Sequence, residues 1–196
     1  FVRGFYEEFT EYVAPIINDE VTSLWEDSDN IEHTHCEYAS HLRHEMSSGW
    51  HKLINHGIIN GTDQELRDYI YKGLVDLVLH EVGHTLGLRH NFKASSIYSL
   101  EQISDPNFVS IHGPVGSDMD YNGINLMDGG HNFYQTTPGP YDYWAIEYAY
   151  SELPPNSDIS ENKFLNDIAN KSTNPLYVYC TDEDAYGAKS IDPYCS

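Results

Sequence analysis

Basic side chains are scarce in this sequence: 10 Lys and Arg stand against 31 Asp and Glu, a formal charge of −21 over 196 residues. A chain of that sign lacks the cations that neutralise phosphate, which argues against nucleic acid as a partner and against docking on anionic membranes. Long apolar runs are missing as well, and no stretch approaches the roughly 18 apolar residues of a membrane-spanning helix. Cysteine is limited to Cys36, Cys180 and Cys195, an odd set that cannot close entirely on itself. A Cys180–Cys195 bridge would close the irregular tail between them; the alternative is two ordinary thiols, and the sequence leaves the pairing open. Repeats and low-complexity tracts are absent. What is present, 40% hydrophobic and 21% charged residues, has the balance of one soluble globular domain with its own core. The surplus acid serves solubility. The opening Phe-Val-Arg-Gly reads as the start of an excised piece of a longer chain.

Residues 1–25 are aromatic and acidic, with strand and helix patterns in competition, and 26–35 read as a polar loop. From about 37 to 56, Leu42, Met46, Trp50, Leu53 and Ile54 form a helical stripe, and Gly57 suits its C-terminal cap. Thr62 with Glu65 is a capping box that opens a long helix; Leu66, Ile70, Leu74 and Leu77 mark its apolar face, and it stops near Leu86 at Gly87. Residues 91–138 are rich in Asn, Gly, Ser and Pro and read as a long structured loop region, a length that usually has a function. Gly139-Pro140 starts a further helix to Tyr150, and Glu161 to Ala169 a short one.

The chemistry lies in residues 80–90, His80-Glu81-Val-Gly-His84-Thr-Leu-Gly87-Leu-Arg-His90. Positions four apart share one helix face, so His80 and His84 can offer two imidazoles to one ion. Glu81 is rotated about 100° from His80 and stands beside that ion, where a general base for a metal-activated water belongs. Gly87, lacking a β-carbon, allows a left-handed turn that returns His90 as a third ligand. Three neutral imidazoles leave a zinc ion positively charged with an open fourth position. The absence of cysteine from 37 to 179 favours that open form over a closed structural site. So many specified positions together say far more than a bare H-E-x-x-H.

These eleven residues resemble the extended zinc-binding signature of the metzincin clan of zinc metallopeptidases. Ser117-Asp-Met119-Asp-Tyr121 resembles the methionine-containing turn that the clan carries below its metal. The wider text is similar to one branch, the bacterial metzincin-like proteins first catalogued as domains of unknown function and often labelled zinc-dependent metalloproteases. The likeness runs in order through residues 80–96 (HEVGHTLGLRHNFKASS), Met119 to Tyr121, Gly139 to Tyr148, Thr181-Asp-Glu-Asp and Asp192-Pro193, and covers about residues 30–196. It implies one α+β zincin-type domain dominated by helices. Residues 1–30 would be the remnant of an N-terminal subdomain, 62–90 the active-site helix with its third-ligand turn, and 91–196 the C-terminal subdomain. The resemblance further implies zinc held by His80, His84 and His90, with Glu81 as general base and Met119 in the methionine turn. Tyr121 is either a stabiliser of the developing oxyanion or a tyrosine buried against the helix. A peptide or protein substrate, neighbouring domains in a longer chain, and a secreted or periplasmic setting follow from the same likeness. Asn91 departs from the pattern, since several metzincins carry an acidic residue directly after the third histidine.

Several other patterns compete. Met127 is the rival methionine, and the Ser-x-Met-x-Tyr context favours Met119. Asp118-x-Asp120-x-Asn122-Gly123 imitates the opening of a calcium loop, but its twelfth position is Gly129 rather than a bidentate Glu, which rejects an EF-hand. His33-Thr-His35-Cys36 is chemically fit for a second metal site; solvated histidines on the polar side of the 37–56 helix are the simpler reading. The aromatic residues of 139–150 read as core rather than pocket lining. The function class opposed to a zinc peptidase is a catalytically silent, zinc-stabilised binding or structural module. Glu81 separates the two, because a structural site has no use for a base.

Overall fold

The computed structural model describes Cys36, residues 38–185 and Cys195; the segment 1–25 and the loop 26–35, with His33 and His35, lie outside the described residues. Helix α1 spans Tyr38–Asn55 and α2 spans Asp63–Thr85, close to the ranges that the apolar spacing predicts. Leu42, Met46, Trp50 and Leu53 are all buried, as a stripe with helical period requires. Gly57 leaves α1 with φ +68°. At the start of α2 the Thr62 hydroxyl accepts from the Glu65 amide at 3.3 Å, and the Glu65 carboxylate accepts from the Thr62 amide at 2.9 Å. This is the reciprocal cap expected of that pair.

The core is the seam between these two helices. Tyr38, Leu42, Met46, Trp50 and Leu53 pack with Tyr69 and Leu77 of α2 and with Tyr134 from the later loop. Gly73 sets how near the helices come, since a β-carbon there would lie 2.7 Å from Met46 Cε. That closeness compensates for the roughly 1 kcal/mol that glycine costs inside a helix. Buried hydroxyls are matched along the seam: Tyr134 donates to the Tyr69 oxygen at 2.8 Å, and Tyr69 donates to the Met46 carbonyl at 2.9 Å.

After α2 the chain forms a short 3₁₀ turn (Ala94–Ser96), α3 (Leu100–Ile103), α4 (Pro106–His112), α5 (Pro140–Tyr150) and α6 (Glu161–Ala169). Two more 3₁₀ turns (Asn170–Thr173, Pro175–Tyr177) and α7 (Asp182–Ala185) follow. The region 91–138 therefore holds short helices that its weak periodicity did not announce. Every regular element among the described residues is helical and none is a strand, so the helix-dominated half of the α+β expectation holds and the strand half has no counterpart there.

Two further expectations are corrected or decided. Of the aromatic residues in α5 only Tyr141 is buried and Trp144 half-buried, whereas Tyr143, Tyr148 and Tyr150 are exposed. Aromatic residues all round a helix cannot share one packed face. Cys180 and Cys195 form a disulfide with their Cα atoms 5.8 Å apart, which decides the pairing left open by the sequence.

Residues 113–120 are buried, and Asp142 of α5 satisfies polar groups at Ser117 and Asp118. Its carboxylate accepts from the Ser117 hydroxyl and, at 2.8 Å each, from the amides of Asp118 and Gly139. Asp76, in the middle of α2, is buried in the same way: it accepts from the Tyr38 hydroxyl and from the Asn122 amide group at 3.3 Å.

Burial pushes the Asp76 carboxyl up to about 7, with the Tyr38 and Asn122 hydrogen bonds pulling the other way. A raised carboxyl means that the folded chain holds this proton more tightly than the unfolded one. Its contribution to stability therefore falls as pH rises from about 4 through 7. Tyr38→Phe removes a donor from the ionised form, and should cost about 1–3 kcal/mol at pH 8 and clearly less at pH 5. Urea unfolding of both chains at the two pH values measures the difference; an equal loss at both would show that Tyr38 does not serve the carboxylate.

Candidate metal centre

Helix α2 carries His80, Glu81 and His84, and its end delivers His90. The Leu88 amide donates back to the Gly83 carbonyl at 3.0 Å, and Gly87 turns the chain at φ +87°. Only a residue at ease in the left-handed region makes that reversal without strain. The three imidazoles converge, with ring centroids 4.8 Å apart for His80–His84 and His84–His90 and 5.3 Å for His80–His90.

Each ring is fixed through Nδ1. His80 Nδ1 lies 2.6 Å from the Asp118 carbonyl oxygen, His84 Nδ1 lies 3.0 Å from the Leu88 carbonyl oxygen, and His90 Nδ1 lies 2.9 Å from the Asp182 carboxylate. An oxygen acceptor at Nδ1 places the proton there and leaves the lone pair on Nε2, which is the tautomer a metal ligand needs. Burial, then the charge of His84, pushes His80 down to about 3, and burial lowers His84 as well. Both rings are therefore neutral bases at neutral pH.

Cys36 completes the group. Its sulfur lies 3.4 Å from His80 Nε2 and 3.4 Å from His90 Nε2, and the ligand atoms of Cys36, His80, His84 and His90 all lie within 4.8 Å of one another. The open fourth corner expected from the sequence is thus corrected: a cysteine one residue outside the cysteine-free stretch occupies it. No local spacing relates Cys36 to His80, since the approach is made by the packing of α1 on α2. Of the His33-x-His35-Cys36 pattern only Cys36 is among the described residues, and its sulfur faces the α2 histidines.

A metal ion fits this donor set. His84 Nε2 is buried without a hydrogen-bond partner, a costly state for a polar atom unless something binds it. A four-coordinate cation with nitrogens at about 2.0–2.1 Å and sulfur at about 2.3 Å separates sulfur from nitrogen by about 3.6 Å, close to the two distances seen here. Burial pushes the Cys36 thiol up to about 11, so a cation binding at this sulfur displaces a proton.

Glu81 and Tyr121 stand at the Cys36 corner. The thiol donates to Glu81 Oε1 at 3.8 Å and accepts from the Tyr121 hydroxyl at 3.5 Å. Burial holds the Glu81 carboxyl above its ordinary range. The Tyr121 ring packs edge-on against His90 at 4.8 Å and stacks on Tyr38 at 5.1 Å. Met119 is fully buried, and a β-carbon on Gly83 would collide with its sulfur, so this thioether lies directly against α2 beside His84. Met127 is exposed.

Positioning residues beyond the signature came to light only in three dimensions. Asn91, fully buried, donates through its side chain to the Val178 carbonyl at 3.0 Å and accepts from the Cys180 amide at 3.1 Å, tying the tail to the third-ligand turn. The tail then presents Asp182 to His90. In the calcium-loop lookalike the Asp120 carboxylate accepts from the Ser95 amide at 2.8 Å and the Asn122 amide nitrogen donates to Asp76, while Asp118 Oδ1 and Asn122 Oδ1 are buried without a hydrogen-bond partner.

A family profile described as Met-zincin matches residues 62–196, more than half of the chain. No curated protein and no solved structure matches it.

Asp182 orients His90 from behind, so Asp182→Ala should weaken metal binding about 10–100-fold. Glu183→Gln, which removes only an exposed pairing with Arg89, should leave binding unchanged. Competition with a fluorescent chelator reads both, and equal affinities for the wild type and Asp182→Ala would remove Asp182 from the site.

Proposed function

The chain belongs to the Met-zincin family, and from that premise we propose that it is a zinc-dependent endopeptidase acting on peptide or protein substrates. His80, His84 and His90 would hold the zinc ion, which when bound supplies the Lewis acid that polarises a carbonyl and acidifies a water. Glu81 takes the proton of the attacking water and hands it to the leaving amine; its raised carboxyl suits a group that must both accept and donate near neutral pH. The Tyr121 hydroxyl, on the same side, would donate to the oxyanion that develops on the carbonyl. The arrangement that carries this reading is the convergence of Glu81 and Tyr121 on one corner of the histidine cluster, 3.8 Å and 3.5 Å from the sulfur that stands there.

Cys36 itself favours a second reading, a closed structural site in a catalytically silent module. Against it, structural zinc sites draw mostly on cysteine, whereas three histidines beside a carboxylate base are the donor set of hydrolytic ones. The disulfide between Cys180 and Cys195 supports an oxidising setting, secreted or periplasmic. Neighbouring domains in a longer chain belong to the same proposal.

Glu81→Gln should lower peptide turnover about 10²–10⁴-fold while the zinc content stays the same. The assay is cleavage of a random peptide library with and without a chelator, in the chain as it stands and in Cys36→Ser, alongside metal analysis. Zinc bound at one ion per chain with no cleavage by either form would establish the structural reading instead.

A further inference from the structure

The structure gives Cys36 a position that the family signature, which begins at His80, does not assign. Its sulfur stands within 3.4 Å of two ligand nitrogens and between the two groups, Glu81 and Tyr121, that would handle protons in hydrolysis. Any substrate oxygen or attacking water needs that same space. The other two cysteines pair with each other, so Cys36 is the one free thiol of the chain.

Its attachment decides what kind of obstacle it is. Two residues later, Tyr38 is fully buried, its ring 4.3 Å from that of His80, and its hydroxyl donates to Asp76 on α2. Cys36 therefore precedes a helix that builds the core, and cutting the chain behind it would not release it. Two residues of chain reach at most about 7 Å, enough for the sulfur to leave the histidines while α1 stays docked. A tethered ligand of this kind returns readily, because its effective concentration at the site is high.

We propose that Cys36 is a resident, reversible cap, its thiolate serving as the fourth metal ligand and keeping substrate and water from the corner between Glu81 and Tyr121. The regulatory meaning of the cap rests on the endopeptidase reading; the ligation does not. Opening would replace the metal–sulfur bond by one to water, the released thiolate taking up a proton from solvent, with no bond in the chain broken.

The test uses the full chain loaded with cobalt(II), whose spectrum reports sulfur ligation without turnover. Wild type should show a sulfur-to-cobalt charge-transfer band and need at least about tenfold more acetohydroxamate, a small metal-binding anion, than Cys36→Ser before its spectrum responds, losing the band as it does. Cys36→Ser should bind one cobalt, lose the band and respond to acetohydroxamate. A wild-type protein with one cobalt and no such band, or with a band that persists while acetohydroxamate shifts the spectrum, overturns the cap; both of these readings are made on wild type, so they stand even if the variant folds poorly. Peptide cleavage by the zinc forms is read in parallel. Cys36→Ser should exceed wild type about tenfold or more, as follows when the open form is a tenth or less of the population, and equal rates in two active forms would overturn the cap. If the spectra behave as expected and neither form cleaves peptide, the cap stands and the peptidase reading falls.

Discussion

Three lone pairs aimed at one point constrain everything else in this fold. An imidazole can turn about its bonds and exchange tautomers, so a convergent triad persists only if each ring is held from the side opposite its ligand atom. Here the holders come from three parts of the chain: the Asp118 carbonyl in the buried turn, the Leu88 carbonyl just past α2, and the Asp182 carboxylate in the tail. Each holder has an anchor of its own. Asp142 pins the turn, the Gly87 reversal fixes Leu88, and Asn91 with the Cys180–Cys195 disulfide fixes the tail. Much of the irregular structure after α2 thus serves to keep three rings still.

The fourth corner distinguishes the two functional readings. A site closed by four protein ligands stabilises a fold, and a site with one exchangeable ligand can also do chemistry. Cys36 belongs to neither class simply, because the carboxylate and the tyrosine that the proposed hydrolysis would use, Glu81 and Tyr121, are gathered around its sulfur. A structural site gains nothing from a partly buried carboxylate at that spot, where desolvation disfavours its charge. The cost of keeping Glu81 there favours a site built to open.

What could be seen in the sequence was whatever depends on near neighbours in the chain. Helix α1 follows from the stripe of Leu42, Met46, Trp50 and Leu53, and α2 from the Thr62–Glu65 box and the Gly87 stop. The convergence of His80, His84 and His90 follows from helical period plus one glycine. Cys36, Asp182 and Asn91 were illegible as site residues because their distance from the histidines is set by tertiary packing; Cys36 lies 44 residues from His80, and Asp182 lies 92 from His90. Composition gave no sign of how deeply the loop between α4 and α5 is buried. The stretch 113–120, read only as part of a long structured loop, is buried throughout, and one carboxylate from α5 satisfies the Ser117 hydroxyl and the Asp118 amide there.

The same geometry couples the metal to the fold. Bringing three imidazoles and a thiol together in a buried place costs desolvation and side-chain freedom, and in the chain alone only the Nδ1 side of each ring and the contacts around Cys36 offset it. A cation bound to the native cluster, and absent from the unfolded chain, returns that cost as stability in proportion to its affinity. Such an ion would steady the turn at 117–119, the reversal at Gly87 and the tail at Asp182 together, since each ends on one of its ligands. Exchange of sulfur for water at the fourth corner leaves all three of those attachments in place. On the proposed reading the site can open without loosening the fold, because Cys36, the ligand that would leave, carries none of those three attachments.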